Sequence, residues 1–165
     1  MKDTCIISFK GMPLFQKAIM EPNFVLQGEL EEVACFFYMT KGSMSSYDMR
    51  GVHTTTQHNS ILKNCGRYIQ EFKAFEGDQE CEAIAVFLYP DLLKEIFQDE
   101  IPSYLTNVNM VAPKRYISNR LIEQYMHNLS IYFNEPDAFD EELGVLKLKE
   151  MIHILLKSEN SAGVR

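Results

Sequence analysis

The chain has 165 residues, 46% of them apolar and 24% charged, which is enough for one packed domain, or one domain with a helical appendix, and excludes a disordered tail. With 16 Lys+Arg against 23 Asp+Glu the formal net charge is −7. That balance excludes a chain that holds nucleic acid unaided, because neutralising phosphates takes a concentrated basic surface.

Residues 1–89 are punctuated like an all-β unit. Short strand-like runs occupy Cys5–Phe9, Leu14–Met20, Val33–Met39, Ser43–Asp48, Val52–Thr56, Ser60–Lys63, Arg67–Phe72 and Cys81–Tyr89. Turn residues separate them, among them Lys10-Gly11, Pro22-Asn23, Lys41-Gly42, Asn64-Cys65-Gly66 and Gly77-Asp78. About eight runs at roughly 8–12-residue spacing are the rhythm of a small sandwich or barrel. Arg67–Phe72 alternates, with Tyr68 and Phe72 opposed to Arg67, Ile69 and Glu71. Ala83–Tyr89 is apolar throughout, as befits a strand covered on both faces.

At Pro90 the period changes. Proline suits the first position of a helix, and Leu92, Leu93, Ile96 and Phe97 follow at helical spacing until Ile101-Pro102 ends the element. Asn107–Pro113 reads as a connector. Arg115–Asn134 gathers Ile117, Leu121, Ile122, Tyr125, Met126, Leu129, Tyr132 and Phe133 on one side, a single amphipathic helix. Asn134-Glu135-Pro136-Asp137 stops it and starts another, so the two run antiparallel.

The last helix, Ala138 to about Ser158, carries two apolar stripes. One holds Val145, Leu148, Met151, Ile152, Leu155 and Leu156; the other holds Phe139, Leu143 and Leu146. A helix on one core needs one stripe, so this one is sandwiched, within its own chain or against another. Residues 159–165, ENSAGVR, read as a frayed end or the start of a linker.

No run approaches the roughly 18–20 apolar residues of a membrane span, and the amino-terminal apolar patch is too short for a signal-peptide core. Cys5, Cys35, Cys65 and Cys81 form no CxxC and no Cys/His cluster; each sits in or beside an apolar stretch, the pattern of reduced thiols. The expected location is cytoplasmic. No glycine-rich phosphate loop, G-x-S-x-G elbow or H-E-x-x-H is present, so no catalytic residue is assigned. His53 and His58 lack the H-x-H spacing that aims two ligands to one strand face, and neither a metal nor a cofactor is expected. Asp140, Glu141 and Glu142 suit the positive end of the last helix.

Four segments carry a resemblance: ACFFYMTKGSMSSYD (34–48), NSILKNCGRYIQEF (59–72), AIAVFLYPDLLKEIF (83–97) and YFNEPDAFDEELGVLKLKEMIHILLKSEN (132–160). Together they resemble the N-terminal sensing and dimerisation region of bacterial transcription regulators of the AraC family. The resemblance implies an α+β fold: a cupin-like antiparallel β-barrel of about eight strands over 1–89, then a short helix and an antiparallel helical hairpin over 90–158. It implies a regulatory domain, not an enzyme, whose promoter DNA is read by a helix-turn-helix domain beyond residue 165. The barrel is the family's usual effector pocket, for a small molecule or a partner protein, and Cys35, Phe37, Met39, Tyr47, His53, Tyr68 and Phe72 are the candidate inward groups. The hairpin commonly pairs chains. Phe139, Leu143 and Leu146 would then meet a second copy, with Val145, Leu148, Ile152 and Leu155 on the home core, or the reverse. The rival readings are a small cupin-type metal-dependent enzyme and a free-standing protein-interaction module.

Overall fold

A computed structural model describes residues 1–30, 33–49, 51–63, 66–97, 113–117 and 119–163, with the backbone alone for 159–163. Its strands are β1 (Asp3–Phe9), β2 (Met12–Met20), β3 (Val25–Leu30), β4 (Ala34–Lys41), β5 (Ser43–Asp48), β6 (Gly51–Thr55), β7 (Ser60–Lys63), β8 (Gly66–Lys73), β9 (Cys81–Leu88) and β10 (Lys114–Tyr116). The helices among the described residues are α1 (Pro90–Phe97), α2 (Arg120–Asn134) and α3 (Glu141–Gly163), with a 3-10 turn at Pro136–Ala138.

The strands pair into a six-stranded sheet, β1-β2-β9-β4-β7-β10, and a four-stranded sheet, β3-β8-β5-β6. All their pairings are antiparallel. No ladder joins the two sheets among the described residues, so the single closed barrel expected from the sequence is replaced by two facing sheets.

Alternation along β4 and β9 shows how the layers form. Cys35, Phe37, Met39, Cys81, Ala83 and Ala85 bury against Leu30, Met44 and Phe72 of the smaller sheet. Their neighbours Ala34, Phe36, Tyr38, Ile84, Val86 and Leu88 bury on the other face, with Leu93 of α1, Tyr125 and Leu129 of α2 and Met151 and Ile152 of α3. The continuous apolar run at 83–88 is therefore a central strand wetted on neither side.

The structure departs from the expected elements at several places. Val25–Leu30, not among the expected runs and interrupted by Gly28, is a strand because it pairs with β8 along its whole length. Arg115 does not start a helix. Lys114–Tyr116 pairs with β7, the Tyr116 ring packs 5.7 Å from that of Phe36, and α2 begins only after Asn119 caps it. The last helix begins at Glu141, where the Asp140 carboxylate accepts from the Leu143 N–H at 2.8 Å, and runs to Gly163, past the expected end near Ser158. The expected end of α1 before Pro102, the connector at 107–112 and Cys65 lie outside the described residues.

Candidate functional site

The inward face of each strand supplies the site. Cys35, Phe37, Met39 and Phe72 lie in the core between the sheets, and Tyr68 packs against it. His53 stands opposite the buried Ser46 and places Nε2 3.9 Å from Asp48 Oδ1. Tyr47 corrects the expectation. The buried positions of β5 are Met44 and Ser46, so strand parity turns Tyr47 to the outer face, in register with Ile69 and Val52, both exposed.

Three polar residues missed in the sequence share this layer: Ser46, Lys63 and Gln70, all buried. Lys63 donates from Nζ to Ser46 Oγ across the gap between the sheets, and its Nζ lies 4.3 Å from the centroid of the Tyr68 ring. A signal for Gln70 was present, because a residue midway between Tyr68 and Phe72 in an alternating strand must share their face. Lys63 likewise sits two residues after the buried Ile61.

Burial lowers the pKa of the Lys63 ammonium, opposed by the nearby Asp48 charge. Burial also pushes the Cys35 thiol far up, which keeps it neutral and unreactive. Tyr68 is raised for the same reason. Among the described residues no group of three His, Cys, Asp or Glu is placed to hold a metal ion. The layer offers donors, acceptors and one buried cation, an arrangement suited to holding a ligand. Outside this layer a cavity of about 320 Å³ lies where Tyr38 and Thr40 face α2, and there burial pushes the Tyr38 hydroxyl up to about 12.

On α3 the two stripes have different fates. Leu148, Ile152 and Leu155 are wholly buried in the chain's own core and Val145 packs against it, so the arrangement that gives them to a second copy is corrected. Phe139 precedes the helix and is engaged at home, edge-on to Phe15 at 5.6 Å and to Tyr132 at 5.3 Å. Leu143 is half-buried, and Leu146 is 56% exposed.

Residues 34–165 match the model of the family described as the ExsA N-terminal regulatory domain. No curated protein matches the chain. Among solved structures, the AraC-like transcriptional activator CuxR is 10% identical with a TM-score of 0.55, over 87% of this chain and 51% of its own. ToxT from Vibrio cholerae strain SCE256, solved with an unsaturated fatty acid bound, is 10% identical with a TM-score of 0.54, over 90% of this chain and 55% of its own. The chain thus spans about half the length of each. At such identity the likeness is one of fold.

Proposed function

This chain belongs to the ExsA N-terminal regulatory domain family and is a regulatory domain of an AraC-family regulator; on that premise we propose that it senses an effector between its two sheets and pairs with a second copy through its last helices. Promoter DNA is then the task of another part of the whole protein, in keeping with the net charge of −7 here. The chain acts by binding, not as an enzyme, and works in the cytoplasm. No helix among the described residues is long and apolar enough to cross a membrane.

The pairing surface is the outer side of a helical hairpin made by α2 and α3. Two contacts support the antiparallel arrangement: Asn119 with Ser158 at 3.0 Å, and Tyr125 with the Lys147 carbonyl at 2.7 Å. The observation that carries the pairing is Leu146. It is a large apolar side chain more than half exposed on a helix whose opposite face is fully packed. A two-fold contact would bury it and its neighbour Leu143 twice over.

Light scattering behind size exclusion tests this. The wild-type chain is expected at twice its 19.1 kDa mass, and Leu143→Lys with Leu146→Lys at the single mass with unchanged circular dichroism. A wild-type monomer, or a double variant that stays dimeric, removes the reading.

A further inference from the structure

One end of the inter-sheet layer is polar. Ser46 is in register with Gln70 on one side and His53 on the other, so the three form a row across β8, β5 and β6. Lys63, only 3% exposed, comes from the opposite sheet and sets its ammonium over that row, donating to Ser46 Oγ. Among the described residues no carboxylate lies within salt-bridge reach of it. Gln70 is fully buried, yet neither its Nε2 nor its Oε1 has a hydrogen-bond partner, and His53 Nε2 also lacks one. Buried amides are nearly always paired, and a buried ammonium wants an anion. An orphan donor, an orphan acceptor and a cation converge on one spot.

We propose that Lys63, Gln70, Ser46 and His53 bind a short 2-hydroxy acid between the sheets. The inference rests on the reading of this layer as the sensing element and names its ligand chemistry. A single ammonium beside Asp48, which already bears on it, suits a monoanion better than a phosphate dianion. The Lys63 ammonium and the Gln70 NH₂ supply donors to the carboxylate oxygens. Gln70 Oε1, which has no partner, accepts from the ligand hydroxyl, and the His53 ring, whose Nε2 faces Asp48 Oδ1 at 3.9 Å, flanks it. Next along the layer stand Phe37, Met44 and Phe72, all buried, an apolar boundary that suits a short ligand.

Tyr68 stands between this row and the surface: its ring covers the Lys63 ammonium and also lines an open surface groove shared with Tyr47, Asp48 and Ile69. Gly28 permits that position, because a Cβ there would stand 2.6 Å from the Tyr68 hydroxyl oxygen.

Thermal unfolding of the 165-residue chain at matched ionic strength is the test, with sodium lactate and glycolate as probes and lactamide, octanoate and phosphate as controls. Lactate or glycolate at about ten times its Kd should raise the midpoint by about 3 °C or more, with no shift from lactamide. Lys63→Met and Gln70→Leu should each weaken the response at least tenfold while keeping the circular dichroism of the wild type. In the wild type the Gln70 side-chain NH₂ resonances should shift with lactate and not with lactamide, a readout that does not depend on a variant folding. No response to either hydroxy acid, an equal response in Lys63→Met, or a response to octanoate or phosphate alone overturns the inference. A monomeric chain that binds lactate would sink the pairing and leave this site standing; a dimer indifferent to lactate and glycolate would do the opposite.

Discussion

The Tyr125 hydroxyl donates to the Lys147 carbonyl at 2.7 Å, and the Lys147 ammonium lies 4.6 Å from the centroid of the same Tyr125 ring. One tyrosine of α2 is thereby tied twice to one residue of α3, once through the backbone and once through charge. Burial, with the Glu150 charge adding to it, raises the Tyr125 pKa well above 10, so the hydroxyl remains a donor at ordinary pH. Lys147 is in turn satisfied by Glu150 Oε1 at 3.0 Å. This junction joins the two long helices in the middle of their shared core.

Tyr125→Phe keeps the ring and removes the bond. Urea unfolding followed by circular dichroism should show a loss of about 1–2 kcal/mol, with an unchanged denaturant slope. A loss below about 0.3 kcal/mol would mean that the hydroxyl contributes nothing to holding α2 on α3.

Asn119 makes a comparable double connection. Its Oδ1 accepts from the Ile122 N–H at 2.9 Å, capping α2, and its Nδ2 donates to Ser158 Oγ at 3.0 Å. Asn119→Ala should cost about 1–2 kcal/mol, and Asn119→Asp should recover the capping part. If aspartate is no better than alanine, the cap is not what starts the helix here.

That cap also shows why part of the fold was hidden in the sequence. Ile117 continues the apolar period of Leu121 and Ile122, so periodicity alone extends the helix back to Arg115. The ladder between Lys114–Tyr116 and β7 is a tertiary event that no local pattern announces. β3 was hidden for a similar reason, since Gly28 breaks its alternation and the need for glycine arises from Tyr68 on the neighbouring strand. The both-sides-covered strand at 83–88 was legible, because its apolar run reflects its own burial. Within the site, the parity of Tyr68 and Phe72 was readable, whereas Tyr47 took the wrong face because Ser46, a small polar residue, gives no hint that it is the buried one. Lys63 was passed over because lysine at a strand end normally marks solvent.

Two glycines separate backbone strain from crowding. Gly42 has φ +88°, and a Cβ there would stand 2.5 Å from the Lys73 carbonyl oxygen and 3.3 Å from Cys81 Sγ; Gly51 has φ +128° with nothing within 4 Å. Gly51→Ala should therefore lose only the conformational part, about 1–3 kcal/mol. Gly42→Ala should lose clearly more, since backbone and a buried sulfur must both shift. Thermal midpoints of the two variants compare them directly, and equal losses would show that the β4–β5 turn relaxes freely.

Lys63 gives the chain a pH signature in the alkaline range. Burial holds its native pKa below the ordinary 10.5. Below the native value both folded and unfolded chains are protonated, and the full penalty of burying the charge is present. Between the native value and 10.5 the unfolded chain binds the proton that the native chain has lost, so this residue's contribution to stability rises with pH and levels off above 10.5. Cys35 and Tyr68, raised by burial, act in the opposite sense at high pH, but they are common to the wild type and Lys63→Met and largely cancel in the difference. Urea unfolding of both proteins from pH 7 to 10.5 should show the wild type gaining on the variant, with a limiting slope of about 1.4 kcal/mol per pH unit inside the window. A difference independent of pH would mean that the Lys63 ammonium is as well solvated in the native chain as in the unfolded one, and the buried cation between the sheets would have to be given up.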